Sequence, residues 1–255
     1  MLKIRVIPTL LIRDRDLVKS LKFKNHIYVG DPINTLKIFN EKKCDEIFIY
    51  DVSDNKSQPI DFEYLRIIAA ESRMPIGYGG RINSIEDIEK ILSIGIEKVS
   101  LNSTLFTNES ILLESSKKFG KQSLVVTLDI KKNGNEYFIY SDNGKQKQNN
   151  QILDCINYFQ NYAGELIIQS IDNDGMMQGY DLELFNLVSK KIKIPFTFLG
   201  GAGNFEHLKQ LALKKTVSAC GSGSYFIFKK KRGVVLINYI NSDQKDELNQ
   251  IFEFC

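Results

Sequence analysis

The chain has 255 residues, of which 43% are hydrophobic and 25% are charged, a balance that excludes an intrinsically disordered protein. Its formal net charge of +3 is too small to indicate nucleic-acid binding by itself. No segment approaches the roughly 18 consecutive apolar residues that a membrane-spanning helix needs. No small-residue cleavage site follows the N-terminal residues, so we expect a cytoplasmic protein without a membrane or nucleic-acid partner.

The cysteines and histidines are too widely separated to predict a metal site or a Cys–His nucleophile pair. They form no CxxC motif and no pair at zinc-ligand spacing. We therefore expect reduced thiols, no metal and no cofactor. These residues are Cys44, Cys155, Cys220, Cys255, His26 and His207.

Short apolar segments alternate with amphipathic segments along the chain, and no linker divides it, so we expect one domain over residues 1–255. Eight such alternations in about 250 residues are typical of an α/β fold, the (β/α)8 TIM barrel, although a doubly wound sheet has similar spacing. The long polar segment Lys131–Asn150 predicts a βα loop that carries a small hairpin. The predicted strands are Ile4–Leu11, Glu46–Asp51, Pro75–Tyr78, Lys98–Leu101, Ser123–Asp129, Glu165–Ser170, Pro195–Leu199 and Ser218–Gly221. The predicted helices are Ile33–Lys42, Phe62–Ser72, Ile85–Ile94, Ser110–Phe119, Ile152–Tyr162, Leu182–Lys191, Glu206–Lys214 and Gln244–Phe252.

An internal repeat favours the barrel over the doubly wound sheet. The segment VIPTLLI, from Val6, resembles VVTLDI, which begins 119 residues later at Val125. The segment GYGGRINSIEDI resembles FLGGAGNFEHL, and Gly79 matches Gly200 at an offset of 121. This near-constant offset predicts a two-fold barrel built from half-barrels of about residues 1–120 and 121–240.

Glycine-rich turns follow the predicted strands at equivalent places in both halves. Glycine lets backbone N–H groups approach a phosphate closely, and a following helix N-terminus favours an anion. One half is predicted to hold a phosphate near Gly80, Asn102 and Ser103. The other half is predicted to hold a second phosphate near Gly201, Gly223 and Ser224. Each turn taken alone is equally compatible with an ordinary tight turn.

Three charged residues follow the C-terminal ends of predicted strands, where barrel active sites lie. Asp129 closes the fifth predicted strand and is the candidate for acid–base catalysis, with a salt bridge or a loop cap as the alternative role. Asp174 is a candidate ligand-binding residue, although Asp before Gly is also common in turns. Lys19 is the third candidate, and a solvated lysine is its simpler role.

The motifs together resemble the cyclase subunit of imidazole glycerol phosphate synthase, the HisF family, over nearly the whole chain. The resemblance implies a (β/α)8 barrel that pairs with a HisH-like glutaminase subunit at its N-terminal face. Ammonia from the glutaminase then crosses the barrel and reacts with a phosphorylated ribulosyl compound, which gives imidazole glycerol phosphate and an aminoimidazole carboxamide ribotide. The motifs are VIP, VKFKNHIYVGDPI, YGGRI, KVSLNS, AGELIIQSIDNDGMMQGYDLEL, LGGAGNFEHL and GSGSYF.

The resemblance also assigns roles to single residues. It implies an ammonia gate formed by charges that lie at or just before strand starts, for which structural plugging of the barrel bottom is the alternative. It implies a phosphate- or substrate-binding role for the residues of the two glycine-rich groups and for two charged residues. These are Gly80, Asn102, Ser103, Gly201, Gly223, Ser224, Lys19 and Asp174. The family's second catalytic aspartate matches Asp129, but its first falls on Leu11, which has no proton to exchange. The gate residues are Arg5, Glu46, Lys98 and Glu165.

Two more departures from the family pattern lie near the expected ligand: Gln169 replaces a threonine, and GKQKQNN replaces a Gly-Lys-x-x-Thr-Gly loop. The chain is therefore similar to divergent HisF-like proteins that are thought to supply ammonia to a separate sugar amidotransferase, for amidino sugars of surface glycans such as lipopolysaccharide. The basic run Lys229–Arg232 is either solvated surface or a docking site for that enzyme. The alternatives are a histidine-pathway cyclase that works despite Leu11, and a non-catalytic ammonia-channel scaffold.

Overall fold

The computed structural model describes residues 3–53, 58–229 and 233–253, with the side chain of the final residue excepted. Cys255 and residues 230–232 of the predicted basic run lie outside the described residues. The cysteines within them, Cys44, Cys155 and Cys220, are buried and free. Within the described ranges no group of histidine, cysteine, aspartate and glutamate side chains could hold a metal ion. No helix in these ranges is long and apolar enough to cross a membrane.

Strands and helices alternate in the predicted order. The strands are β1 (Arg5–Arg13), β2 (Asp16–Leu21), β3 (Lys24–Gly30), β4 (Ile47–Asp51), β5 (Ile76–Gly79), β6 (Lys98–Leu101), β7 (Leu124–Asn133), β8 (Glu136–Ser141), β9 (Gln146–Lys147), β10 (Glu165–Ser170), β11 (Phe196–Leu199) and β12 (Ala219–Ser222). The helices are α1 (Pro32–Glu41), α2 (Phe62–Glu71), α3 (Ile85–Ser93), α4 (Ile111–Phe119), α5 (Ile152–Phe159), α6 (Leu182–Ser189), α7 (Phe205–Ala212), α8 (Ser224–Ile227) and α9 (Ser242–Glu253).

Eight of these strands form a closed parallel barrel, which confirms the predicted (β/α)8 fold. The order around the barrel is β1, β4, β5, β6, β7, β10, β11, β12, and β12 pairs with β1 to close it. Pairing of β6 with β7 joins the two predicted halves on the other side. Each half therefore contributes four consecutive barrel strands. Because all eight strands run in the same direction, the turns after them meet at one end of the barrel.

Local sequence signals explain where several helices begin. Side chains of Asp31, Asp61, Asp181 and Asn204 each accept a hydrogen bond from a backbone N–H in the first helical turn. Ser84 starts α3 with a reciprocal capping box. The helices then pack buried aliphatic and aromatic residues against the outside of the barrel.

The barrel interior is a separate apolar layer. Ile7, Phe48, Val125 and Ile167 are fully buried there, with Leu199 and Ala219 beside them. The Phe48 ring stacks near Tyr50, with ring centroids 6.0 Å apart. Gly77 faces this ring, and a Cβ atom there would lie 2.2 Å from it. These side chains lie between the two ends of the barrel.

Two hairpins extend from the C-terminal end of the barrel. The predicted hairpin in Lys131–Asn150 is confirmed as β8 and β9, but β7 continues through Asp129 to Asn133 instead of ending at Asp129. This happens because Asp129 pairs with Gln169 of β10 on one side and with Tyr140 of β8 on the other. The hairpin β2–β3, which follows β1, was not predicted from the sequence.

Candidate functional site

A cavity of about 350 Å³ opens at the C-terminal end of the barrel. It brings together the predicted catalytic residue Asp129, the replaced position Leu11 and the predicted phosphate residues Gly80, Asn102 and Ser103. These side chains come from β1 and β7 and from the turns after β5 and β6. The first predicted phosphate turn and the acid–base position thus share one cavity, as their places at strand ends suggested.

Asp129 has the environment of a carboxyl group that can exchange a proton near neutral pH. Its side chain is 9% exposed and accepts a hydrogen bond of 2.9 Å from Asn102 Nδ2. Burial raises the pKa of Asp129 to about 7, and the nearby charge of Asp174 adds to the rise, while the Asn102 hydrogen bond opposes it. An acid near its pKa at working pH is suited to general acid–base catalysis.

Leu11 and Gln169 line the same cavity as Asp129, at positions where the HisF resemblance implies an aspartate and a threonine. Leu11 is half-buried and lines the cavity, so its side chain contributes an apolar wall and no proton. Gln169 is 8% exposed, lines the same cavity and is paired with Asp129 across the β7–β10 ladder. The amide of Gln169 can donate or accept hydrogen bonds but does not titrate.

The turn after β5 is shaped around its glycine. Gly80 has φ +108°, and a Cβ atom there would lie 2.3 Å from the carbonyl oxygen of Asp51. The next residue, Arg81, also has a positive φ of 57°, and its Nε lies 3.3 Å from Asp51 Oδ2. Sequence reasoning missed Arg81 and Asp51 as cavity residues, although the arginine directly follows the Gly-Gly pair.

The turn after β6 contributes an amide and a hydroxyl. Asn102 is held by Asp129, and Ser103 Oγ accepts a hydrogen bond of 2.9 Å from the backbone N–H of Asp142. The β8–β9 turn is therefore tied to the first phosphate turn. Whether these groups bind phosphate stays a prediction.

A hydroxyl network that the sequence did not suggest lies at the base of the cavity. Tyr50 Oη lies 3.0 Å from Thr127 Oγ1, and Ser100 Oγ lies 2.7 Å from the same oxygen. All three residues line the cavity from inward-facing strand positions. Alternation along β4, β6 and β7 could have identified them, because they share a face with other interior residues.

The second predicted phosphate group lies apart from this cavity lining. Lys19 is 4% exposed, and its Nζ donates a 2.9 Å hydrogen bond to the carbonyl of Thr9. Burial lowers the pKa of Lys19 to about 8, although the charge of Asp174 opposes this. A Cβ atom at Gly223 would lie 1.9 Å from Lys19 Nζ, so the ammonium group is packed against this turn. Gly201, Ser224 and Asp174 are likewise absent from the lining of the 350 Å³ cavity.

Asp174 connects this second group to the β2–β3 hairpin. Its Oδ2 accepts a 2.7 Å hydrogen bond from Ser20 Oγ, and its backbone carbonyl accepts one of 3.0 Å from the N–H of Lys22. Gly201 in turn accepts a backbone hydrogen bond of 2.8 Å from Gly179. The structure thus brings Lys19, Asp174 and Gly223 into one neighbourhood, whereas the phosphate role of the group stays a prediction.

A ring of four charges occupies the opposite end of the barrel; we call it the charge ring. Arg5 contacts Glu46 at 2.5 Å and Glu165 at 2.8 Å. Lys98 Nζ contacts the same two carboxylates at 2.6 and 2.9 Å. Each cation bridges both anions, and the four residues lie at or just before strand starts as predicted.

Electrostatics inside the charge ring favour the charged forms of Arg5 and Glu165. Burial opposes charge on Arg5, but the charges and hydrogen bonds of Glu165 and Glu46 outweigh it and raise the pKa of Arg5. Burial likewise opposes charge on Glu165, but Arg5 and Lys98 outweigh it and lower the pKa of this carboxyl. Thr197 Oγ1 adds a 2.7 Å hydrogen bond to Glu165. In a ring of this kind each charged side chain at the end of the barrel is paired with an opposite charge.

The fold agrees with comparisons to known proteins. The histidine biosynthesis protein family matches residues 5–232, and the chain belongs to this family. Within it, the similarity is to HisF-type subunits. A Vibrio vulnificus (strain YJ016) protein provisionally named imidazole glycerol phosphate synthase subunit hisF3 is 41% identical over 249 residues, which cover 96% of each chain.

Two further relatives extend this similarity. A Leptospira interrogans protein provisionally named imidazole glycerol phosphate synthase subunit HisF is 38% identical over 97% of this chain and 99% of its own length. Imidazole glycerol phosphate synthase subunit HisF of Staphylococcus saprophyticus (strain ATCC 15305) is 33% identical over 96% of this chain and 97% of its own length. The HisF resemblance inferred from the motifs is thereby confirmed.

Proposed function

We propose that this chain is the barrel subunit of a glutamine amidotransferase complex. In this proposal a HisH-like glutaminase subunit docks at the N-terminal face, and ammonia enters through the charge ring and reaches the cavity at the other end. The observation that carries the proposal is the closed ring of Arg5, Glu46, Lys98 and Glu165 opposite a cavity that holds a titratable carboxyl group. The names of the relatives support a role as one subunit of a larger complex.

We further propose that formation of imidazole glycerol phosphate is slow in this protein and that its ammonia serves amidino-sugar synthesis by a separate sugar amidotransferase. Leu11 supports this, because it removes one of two groups that would exchange protons in the cavity. Loss of such a group commonly lowers a rate by about 10²–10⁴. Gln169 supports a changed ligand, because it lines the same cavity at a position where the resemblance implies a threonine.

The test measures imidazole glycerol phosphate formed from the ribulosyl substrate with ammonium, and separately with glutamine and the glutaminase. We expect a slow reaction that Leu11→Asp accelerates by about 10²-fold or more, because the carboxyl group would restore the missing proton carrier. Leu11→Asn is the matched control, since it is polar and of similar size but does not titrate. A rate typical of enzymes in the unsubstituted protein would refute the slow-cyclase proposal.

A second candidate function is the cyclase reaction of histidine biosynthesis itself. The observation that favours it is Asp129, which is buried, held by Asn102 and has a pKa of about 7. Expression of the chain in a histidine auxotroph that lacks its own HisF decides between the two functions. Growth at the rate given by a known HisF supports the cyclase, and absence of growth rejects it.

A further inference from the structure

The β2–β3 hairpin places a histidine over the cavity. His26 lies on β3 and is half-buried, and it lines the cavity together with Phe23 of the same hairpin and Leu11 of β1. The hairpin continues directly from β1, with Leu11 paired to Val18. His26 therefore faces the same space as Leu11, but from above the barrel.

Among the described residues that line this cavity, His26 is the one with an imidazole side chain. The other histidine, His207, lies in the first turn of α7, where its backbone N–H donates to Oδ1 of the N-cap residue Asn204. Other charged or titratable side chains around the cavity are Tyr50, Asp51, Arg81, Asp129 and Asp142. Asp51 is engaged by Arg81, and burial raises the pKa of Tyr50 far above neutrality.

Several charged groups set the proton affinity of His26. Burial lowers its pKa, and the positive charges of Arg13 at the end of β1 and Lys145 in the β8–β9 turn lower it further. His26 is thus neutral near pH 7, when Asp129 is partly protonated. A protonated acid and a neutral base then face one cavity, which is the combination that acid–base catalysis requires.

We propose that His26 is the second proton-transfer group of this cavity and supports, from the hairpin, the slow reaction that remains without a carboxyl group at position 11. The proposal rests on the part of the proposed function in which this cavity still forms imidazole glycerol phosphate slowly, so that ammonia meets a phosphorylated carbonyl compound here. When the ammonia nitrogen bonds to the carbonyl carbon, the carbon–oxygen double bond becomes single and Asp129 gives its proton to that oxygen. His26 takes a proton from the new ammonium nitrogen, and solvent returns a proton from His26 to Asp129.

The kinetic test compares His26→Gln with Ile27→Gln at a fixed concentration of free ammonia. Ile27 is the adjacent residue, is 37% exposed and does not line the cavity, so it controls for damage to the hairpin. We expect His26→Gln to lower the rate about 10²-fold and to abolish the acidic limb of the pH–rate profile, because no imidazole remains to be neutralised. Ile27→Gln should keep both the rate and the limb.

Position 11 supplies a second kinetic criterion. In a Leu11→Asp background the carboxyl group provides another proton carrier, so adding His26→Gln should change the rate less than about threefold. The proposal is wrong if His26→Gln retains the acidic limb, or if its effect is equally large with leucine and aspartate at position 11.

A binding measurement separates this proposal from the proposed function. The chain has two histidines, so NMR of the imidazole Hε1 protons shows two signals, and the one lost in His26→Gln belongs to His26. We expect imidazole glycerol phosphate to shift the His26 signal and its titration midpoint, but not those of His207. Binding without a response from His26 overturns this proposal alone. A failure of the unsubstituted protein to bind the compound overturns this proposal together with the phosphate-binding cavity on which it rests.

Discussion

Replacing Asp129 with asparagine should stabilise the protein while it impairs the cavity. In the folded chain the pKa of Asp129 is about 7, compared with an ordinary value of 3.8, because burial and the charge of Asp174 disfavour the carboxylate. The folded state thus binds an extra proton between about pH 4 and pH 7, and stability falls as pH rises through this window. The full difference corresponds to about 4 kcal/mol at pH 8. Asparagine avoids this loss and can still accept the hydrogen bond from Asn102.

Thermal unfolding of the two proteins from pH 4 to pH 8 measures this effect. For a chain of this size 1 kcal/mol shifts Tm by roughly 2–4 °C, so we expect Asp129→Asn to melt about 10 °C higher at pH 8. The difference should vanish near pH 4, where both side chains are neutral. Asp246→Asn, at an exposed position on α9, should show no comparable pH-dependent gain. An equal Tm difference at both pH values would refute the electrostatic reasoning.

The same variant tests the scaffold alternative. If Asp129 exchanges a proton, Asp129→Asn should lower formation of the complex's product by about 10²–10⁴-fold despite the gain in stability. Unchanged product formation by the full complex would instead favour a barrel that only conducts ammonia.

Two other substitutions probe the two ends of the barrel. Lys98→Met leaves Glu46 and Glu165 with one cation between them, so we expect a loss of about 3 kcal/mol in the free energy of unfolding, measured with denaturant. Glutamine-dependent turnover should fall more than ammonium-dependent turnover, and equal losses would argue against an ammonia path through the ring. Gly80→Ala adds a Cβ atom that meets the carbonyl of Asp51 at a positive φ, so we expect a cost of about 1–3 kcal/mol and weaker binding of inorganic phosphate by calorimetry. Unchanged stability and binding would contradict the close fit at that turn.

Features that depend on the position of a residue along its strand could be predicted from the sequence. In a parallel barrel, residues at strand starts lie at one end and residues at strand ends lie at the other. Arg5 and Lys98 start their strands and therefore meet at one end, while Asn102 follows its strand and meets Asp129 at the other. Features set by packing between loops could not be predicted. The β2–β3 hairpin carries its own alternation, and nothing in that local pattern shows that His26 turns toward the cavity.

The second predicted phosphate group also shows a contact between segments that the sequence does not predict. Gly223 of this group matches Asn102 of the first group at the offset of 121, yet Lys19 lies against Gly223, whereas Asn102 is held by Asp129. The internal repeat thus predicts the course of the backbone in both halves. It does not predict which side chain from another segment comes to occupy each turn.

The two ends of β1 differ in how a substitution affects buried charges. The lower end, with Arg5, lies at the charge ring, and the upper end, with Leu11, lies at the cavity. At the lower end, Arg5 bridges two buried carboxylates, so replacing it by an uncharged residue would leave Glu46 and Glu165 with Lys98 as their remaining cation in the charge ring. At the upper end, a leucine at position 11 leaves no opposite charge unpaired and spares Asp129 a further nearby carboxylate. An aspartate there would repel the Asp129 carboxylate as Asp174 already does, and would raise its pKa further. The Leu11→Asp variant should therefore gain proton-transfer capacity while losing stability above neutral pH, which separates catalytic from structural reasons for the leucine.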